Sequence, residues 1–399
     1  MTYRELLELY KQGKLDEETR KQVENAIEKQ DAISDYLFDQ TEIQSLSPEV
    51  PEEQEKNEIM LKTIQKTVRR TMARMGLIVG AAVLAVVAVS AMVLPGLVSK
   101  FYYEPDTIVR RNPENKDITT NRMSLDLTVW SELYLPGAYR DLVNIENEGW
   151  GKYTVSIPQN ITTTGHFKTV NGRLVRNKLT LYETDTLKPP TGNAFLMPDS
   201  VKGGPIFLDG ESGENIGPWG GRNEYREHLD KLHEDEWYIG YVSFDEIWDY
   251  PAFYEWYQQQ ELGAANAWCG VYTEDEEGWM LGENIGFIFQ AAGFCRDFEM
   301  QEYPYLSVLG VEHTPEPADP QQMQQHFISL LSYQMDHPKF AELMAPGQTQ
   351  QKQMLQKMID AVKRDGLRVY GFAITAQKET LEKLADDPNV GYIYAVPAE

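Results

Sequence analysis

The clearest feature of the hydropathy pattern is a single long apolar run. Residues 76–98 form a stretch of 23 residues without a charged side chain, in which Ser90 and Pro95 are the main departures from an apolar composition. At about 1.5 Å per residue, such a helix is roughly 35 Å long, enough to cross a hydrocarbon core of about 30 Å. A buried helix of a soluble protein rarely stays apolar on every side over this length. The pattern therefore predicts one transmembrane helix at 76–98.

Basic residues on the two sides of the run predict its orientation. Those just before it are Lys62, Lys66, Arg69, Arg70 and Arg74. After it, only Lys100 is close to the membrane. Because Lys and Arg are enriched on the cytoplasmic side of transmembrane helices, we expect a cytoplasmic N-terminus and an extracellular C-terminal part. Leu94-Pro95-Gly96 should end or kink the helix, and residues 101–103 (Phe-Tyr-Tyr) should form an aromatic belt at the outer interface.

The segment before the span predicts a small helical module at residues 1–40. TYRELLELYKQG, DEETRKQVENAIEKQ and AISDYLFDQ carry apolar residues at helical spacing, which predicts three short helices. So small a module buries little surface and ordinarily needs a metal, a disulfide or a partner, so we expect a protein partner. The alternative is a marginal cytoplasmic stub. Residues 41–60 are acidic and predict a linker, and a basic helix then leads to the span.

Shorter patterns fill the outer region. We expect an extended stalk at 99–123 and a β-rich subdomain at 124–235. SLDLTVWSELYLPG alternates as a strand does, with Leu125, Leu127, Val129 and Leu133 on one face. GWGKYTVSIPQN, GHFKTVNGRLVRNKLTLYET and NAFLMP predict further strands, and Asn171-Gly172 predicts a hairpin turn.

Residues 236–399 contain two halves of similar pattern. EWYIGYVSFDE, YPAFYEWYQQQ and NAWCGVYT predict a strand, a helix and a strand, and so do LRVYGFAITAQ, KETLEKLADDP and VGYIYAVPAE. Two β-α-β units predict a ferredoxin-like duplicated domain, and the chain as a whole an α+β fold. Between the halves, Gln- and Met-rich segments near 321–334 and 350–364 predict surface helices.

Charge and cysteine content narrow the function classes. The net charge is −25, and residues 76–399 carry 46 acidic and 25 basic side chains, which disfavours nucleic acid as a ligand. Cys269 and Cys295 both fall in the outer region, where one disulfide or two unpaired thiols are equally compatible with the sequence.

The sequence shows no pattern typical of an enzyme. His228 and His233 are five residues apart, which turns them away from each other on a helix, and the acidic stretch 273–278 lacks the spacing of a calcium loop. No nucleophile elbow or phosphate-binding loop is present. Trp237, Trp248, Trp256 and Trp268 predict core positions rather than a ligand cage. We therefore predict a protein without catalytic residues, cofactor or metal.

Two resemblances add to these predictions. LLELYKQGKLDEETRKQVENAIEKQDAISDYL resembles the anti-sigma domain of membrane-bound bacterial anti-sigma factors. In that family a His-x3-Cys-x2-Cys motif binds zinc, but here Ala26, Gln30 and Ile33 occupy its positions, so the segment resembles the zinc-less branch. The resemblance implies that these helices bind an extracytoplasmic-function sigma factor and block its access to RNA polymerase. The implied contact residues are Leu6, Leu7, Leu9, Tyr10, Leu15, Val23, Ile27, Ile33, Tyr36 and Leu37.

The outer region carries the second resemblance. YVSFDEIWDYPAFYEWY and GFAITAQKETLEKLADDPNVGYIYAV resemble the C-terminal domain of the sigma factor regulator family, and SELYLPG and ENEGWGKYTVSIP resemble the segment before it. This implies a membrane-anchored anti-sigma factor whose outer domain senses an envelope signal or binds a second membrane protein. Two alternatives stay open: a membrane-anchored extracellular enzyme or ligand-binding module, and a receptor whose outer domain only dimerises or scaffolds partners.

Overall fold

The chain contains both helices and sheets, which confirms the mixed α and β class. The computed structural model describes residues 10, 17–39, 51–111, 119–136, 139–140, 142–160, 167–182, 194–203, 216–262, 267–290, 302–306, 316–346 and 351–398. The chain divides into two compact units, Met1–Ala85 and Val86–Glu399. The finer division of the outer region at residue 235 stays a prediction.

The N-terminal unit contains one long helix where two short ones were expected. Helix α1 spans Glu17–Asp39 without a break, because this stretch holds no Gly or Pro that would end a helix. Its first turn carries Glu17 and Glu18, which interact favourably with the helix dipole. The first predicted helix lies outside the described residues, except for Tyr10.

Helix α2 spans Pro51–Met92 and joins the basic segment to the apolar run. It begins inside the predicted linker, because Pro51 suits the first helical position and acidic residues follow it. The helix is interrupted at Val93 and resumes as α3, Leu94–Ser99, with Pro95 in its first turn. This confirms the break predicted near Pro95. Within the described part of the chain, Met60–Ser99 is the one stretch long and apolar enough to cross a membrane, by length and composition.

The described residues of the predicted stalk pair with each other and pack on the outer unit, so they do not form a separate extended segment. Strand β1, Ile108–Arg111, pairs antiparallel with β2, Thr119–Asn121. Tyr103, expected in an aromatic belt, is only 3% exposed. Its ring lies 5.6 Å from that of Phe340. The belt prediction is therefore wrong for this residue, whose side chain belongs to the core of the outer unit.

Residues 125–133, predicted as a strand, form helix α4, Arg122–Tyr134. Asn121 caps it, since its Oδ1 accepts a hydrogen bond from the Ser124 amide at 2.9 Å. The apparent alternation arises because two sides of one helix are apolar. One side packs in the main core through Leu125, Val129 and Leu133. The other packs in a second cluster through Met123, Leu127 and Trp130.

The first sheet follows α4 and carries the second cluster on its inner face. Its strands are β3 (Tyr139–Arg140), β4 (Asn144–Gly149), β5 (Lys152–Asn160), β6 (Phe167–Val175) and β7 (Lys178–Leu181). All pairs are antiparallel, with β3 and β4 both on one edge of β5. The predicted turn at Asn171-Gly172 is wrong, because both residues lie within β6. The hairpin turns instead at Arg176 and Asn177, whose φ angles of 49° and 66° suit a two-residue hairpin loop.

The second sheet holds the main core. Its strands are β8 (Trp237–Asp249), β9 (Ala267–Tyr272), β10 (Gly286–Gln290), β11 (Arg368–Gln377) and β12 (Val390–Pro397). They are ordered β10-β9-β11-β8-β12, and every neighbouring pair is antiparallel. Helix α5 (Tyr225–Leu229) precedes β8, α6 (Tyr250–Gln259) joins β8 to β9, and a later helix, Lys378–Ala385, joins β11 to β12. The ferredoxin-like duplication itself stays a prediction.

The segment between β10 and β11 contains α7 (Pro320–Asp336), α8 (Pro338–Met344) and α9 (Gln351–Asp365), so Lys378–Ala385 is α10. The two predicted helices are confirmed, but α7 is not a surface helix. Its buried residues include Met323, Phe327 and Leu330, because it packs on α4, α9 and β10. The strand predicted at NAFLMP is also wrong. Residues 194–197 are buried but form no strand, and the Leu196 amide donates to Ser243 Oγ at 2.9 Å.

Candidate functional site

The predicted sigma-factor contact residues lie in the N-terminal unit, and the structure describes part of the set. Val23 is 3% exposed, Ile27 is half-buried and Ile33 is 56% exposed. Tyr10 is half-buried, and its hydroxyl donates to Glu24 Oε1 at 3.4 Å. Outside the described residues or side chains lie Leu6, Leu7, Leu9, Leu15, Tyr36 and Leu37.

These exposures divide the predicted contact residues into two kinds. Val23 is buried in the chain itself, so it has an internal packing role. Ile33, ten residues further along α1, lies about 80° around the helix from Val23, on the same broad side. Ile33 lies about 15 Å further along the helix than Val23, and its exposure extends the apolar side of α1 to the surface. Ile33 is therefore the described member of the set best placed to contact another protein.

The outer unit contains a buried carboxyl group held by two tyrosines. Tyr103 donates its hydroxyl to Asp126 Oδ2 at 2.6 Å, and Tyr333 donates to Asp126 Oδ1 at 2.5 Å. Burial raises the pKa of Asp126, while the two hydrogen bonds act in the opposite direction. Burial also raises the pKa of both tyrosines, with the Asp126 charge adding to it. The cluster joins α4, α7 and the residues that follow the predicted span.

A second polar pair lies further along the same two helices. Glu132 Oε1 lies 2.8 Å from His326 Nε2, and both side chains are buried. The other ring nitrogen, Nδ1, lies 2.5 Å from the carbonyl oxygen of Tyr305. Since a carbonyl oxygen only accepts, Nδ1 must donate, and one proton is left to lie between Nε2 and the carboxylate. The pair therefore satisfies its polar groups inside the core.

A cavity of about 320 Å³ opens beside Asp126. Its lining combines carboxyl, cationic and aromatic groups, and includes Glu104, Arg122, Asp126, His337 and Lys339. Lys339 Nζ donates to the Tyr102 carbonyl oxygen at 3.2 Å, while Arg122 Nε is buried and has no hydrogen-bond partner among the residues that the structure describes. A cavity of this size, with several polar groups facing it, has the character of a small-ligand site. Among the described residues, no group of His, Cys, Asp and Glu side chains is arranged to hold a metal ion.

Comparison with known protein families gives a match in the C-terminal part of the chain. Residues 229–393 match the family described as sigma factor regulator C-terminal. We refer to this matched part of the chain, residues 229–393, as the regulator domain. The resemblance of β8, β11 and β12 to that family is thereby confirmed. No curated protein and no solved structure matches the chain.

Helix α4 lies before the matched residues, yet it packs into the regulator domain. The Glu132 carbonyl oxygen accepts from Trp268 Nε1 at 2.6 Å, and Glu132 Oε1 accepts from the Ile288 amide at 3.3 Å. Helix α4 therefore lies against β10, at the edge of the regulator sheet. The predicted core role of the four tryptophans is confirmed: Trp256 and Trp268 are buried, and Trp237 and Trp248 pack against the core.

The buried polar residues of α4 and of α7, which packs against it, were not predicted from the sequence. Asp126 and Glu132 stand inside an apolar stretch, where a carboxyl group is costly unless it is paired, and this was the available signal. His326 gave none, because it lies in a Gln-rich segment. Cys269 is fully buried in β9, and Cys295 lies outside the described residues, so one disulfide and two unpaired thiols both stay predictions.

Proposed function

We propose that the chain is a membrane-anchored anti-sigma factor. The observation that carries the proposal is the match of residues 229–393 to the sigma factor regulator C-terminal family. The apolar helix within 60–99 supports an anchor, and the basic residues before it support a cytoplasmic N-terminus. In this arrangement the N-terminal helices hold an extracytoplasmic-function sigma factor at the membrane. The sigma factor is then kept from RNA polymerase until the complex is destabilised.

The exposed side of α1 supplies the proposed contact with the sigma factor. Burying an exposed isoleucine at an interface contributes on the order of 1.5–3 kcal/mol, so losing it should weaken binding by about tenfold or more. Ile33→Asp tests this contact, and Ala32→Asp is the matched control, since Ala32 is exposed next to it and faces another direction.

The binding experiment uses the full chain in lipid nanodiscs and extracytoplasmic-function sigma factors from the same cell. We expect one of them to bind, with weaker binding after Ile33→Asp and little change after Ala32→Asp. Equal binding by both variants would remove Ile33 from the contact. If the wild-type chain binds none of the sigma factors, the proposed function is wrong.

The cavity beside Asp126 favours a sensory role for the outer unit. It adjoins Tyr102 and Tyr103, which follow the span, and it is lined by the corner between α7 and α8. A ligand there contacts both segments at once, and it would shift their relative position if it bound one arrangement more tightly than another. The same cavity supports the second candidate function, a ligand-binding module. A second membrane protein that contacts this region is a further proposed partner.

A ligand screen separates these two functions. Lys339→Ala removes one cationic group from the cavity and leaves the hydrogen bonds between Asp126, Tyr103 and Tyr333 in place. If a ligand stabilises the wild-type chain and its addition releases the sigma factor, the sensory role is supported. If it binds without any effect on the sigma factor, the module is a binding protein alone.

We also propose that the regulator sheet is a ferredoxin-like duplication. The order β12-β8-β11-β9, with α6 and α10 as the two connecting helices, supports it. An experimental structure in which residues 237–272 fail to superpose on residues 368–397 would contradict the duplication.

A further inference from the structure

The hairpin between β4 and β5 presents an exposed tryptophan at its tip. Trp150 is 38% exposed and has a φ of 58°, between Gly149 and Gly151, whose φ angles of 78° and 69° are also positive. A bulky residue in the left-handed region is uncommon and persists when neighbouring contacts determine it. Here the Gly151 carbonyl oxygen accepts from the Arg176 amide at 2.8 Å. The structure thus holds Trp150 at a fixed position on the tip.

This tip is attached to the end of the apolar helix. The Gly151 amide donates to Ser99 Oγ at 3.1 Å, and Ser99 is the last residue of α3. A Cβ on Gly151 would lie 2.8 Å from Cδ2 of Tyr102, so the tyrosine ring packs directly on the glycine. These contacts fix the hairpin tip against the helix end.

Trp150 lies beside the end of the apolar helix. Trp150 lines a cavity of about 480 Å³ together with Ala91, Gly96 and Ser99, so the hairpin tip lies alongside the last turns of the apolar run. Phe101, just beyond the helix end, is 79% exposed. Two exposed aromatic side chains from distant parts of the sequence therefore stand at the level where the apolar run ends. Tryptophan and other aromatic residues favour this interfacial level of a bilayer.

We propose that Trp150 and Phe101 seat the outer unit on the bilayer, with the hairpin tip inserted at the membrane interface. The occupant of this surface is lipid, because the surface is continuous with the apolar helix that enters the membrane. The proposal rests on the membrane anchor proposed above and adds a second contact with the bilayer. Glu104, Asp106 and Glu148 line the same cavity, and their negative charge would repel anionic lipid, so we expect the contact to form with zwitterionic lipid.

Quenching of tryptophan fluorescence by lipid tests the proposal. The full chain, which has eight tryptophans, is reconstituted in phosphatidylcholine vesicles containing lipid with a bromine or nitroxide quencher near the headgroup. We expect wild-type fluorescence to be partly quenched and Trp150→Phe to lose most of the quenchable fraction. Trp279→Phe is the matched control, since Trp279 is 52% exposed and does not line the cavity; quenching should not change there.

The outcomes separate this proposal from the anchor. If the wild-type chain is extracted from vesicles by alkaline carbonate, both are wrong. If the chain stays in the membrane but Trp150→Phe is quenched as strongly as wild type, the anchor stands and the seating is wrong. Near-ultraviolet circular dichroism checks that the variant is folded.

Discussion

The buried pair of Glu132 and His326 gives the sharpest prediction for stability. The substitution Glu132→Ala removes the acceptor of two donors, His326 Nε2 at 2.8 Å and the Ile288 amide at 3.3 Å. Removing one partner of a buried ion pair typically costs about 3–5 kcal/mol. Since a domain is stable by about 5–15 kcal/mol, this is a large share of its free energy of unfolding.

The matched control is an exposed glutamate in a similar helical setting. Glu382 lies 3.5 Å from Lys378 Nζ on α10, and its side chain is 44% exposed. Exposed pairs contribute about 0–1 kcal/mol, so Glu382→Ala should change stability little. Glu132→Gln should fall between the two variants, because an amide still pairs with a neutral imidazole.

Urea unfolding of the full chain in detergent, followed by near-ultraviolet circular dichroism, measures these differences. The expected order of the free energy of unfolding is Glu382→Ala close to wild type, then Glu132→Gln, then Glu132→Ala. If Glu132→Ala unfolds within about 1 kcal/mol of Glu382→Ala, the assignment of a buried ionic or shared-proton pair is refuted.

Two further predictions concern single positions in the outer unit. Gly286→Ala should destabilise the outer unit by roughly 1–3 kcal/mol, because a Cβ at this position would lie 1.9 Å from the Cys269 carbonyl oxygen. Gly80→Ala should be neutral, because no atom lies within 4 Å of the added Cβ. Equal urea midpoints for the two variants would contradict the prediction. Burial raises the pKa of Asp126 in the folded state above its value of about 3.9 in the unfolded chain. Protonation of Asp126 therefore stabilises the folded state. This stabilisation is complete below the unfolded pKa and is lost as the pH rises through the folded pKa. The stability advantage of wild type over Asp126→Asn should therefore shrink from acidic to neutral pH, and an advantage that grows would overturn the assignment.

The elements that sequence predicted well are those whose pattern has one physical cause. Strands β8, β9, β11 and β12 are mostly buried runs bounded by turns, and α6 and α10 each have one apolar side, so the positions of these elements could be predicted from the sequence pattern. Helix α4 was predicted as a strand because it has apolar residues on two opposite sides, and their spacing along the sequence resembles the alternation of a strand. The surface position predicted for α7 was wrong, because its glutamines made the segment look polar on all sides. Its buried side is defined only by its packing against other elements, including α4.

The candidate site was less predictable because its residues meet only in the folded chain. Asp126 and Tyr333 are 207 residues apart, and Glu132 and His326 are 194 apart, so no local motif joins them. The position of the hairpin tip beside Ser99 was equally unpredictable from the sequence, because it depends on the register between β4 and β5 in the folded chain. Part of the N-terminal contact face could be proposed from sequence, because Ile27 and Ile33 lie on the same helix, α1.

Co-purification tests the central proposal most directly. The tagged full-length chain is isolated from detergent-solubilised membranes, alongside a variant that lacks residues 1–50, and the bound proteins are identified by mass spectrometry. We predict that one extracytoplasmic-function sigma factor is recovered with the full chain and is lost with the deletion, and that transcription dependent on that sigma factor rises in cells carrying the deletion. Recovery of no sigma factor with the full chain, or equal recovery with the deletion, would contradict the anti-sigma function.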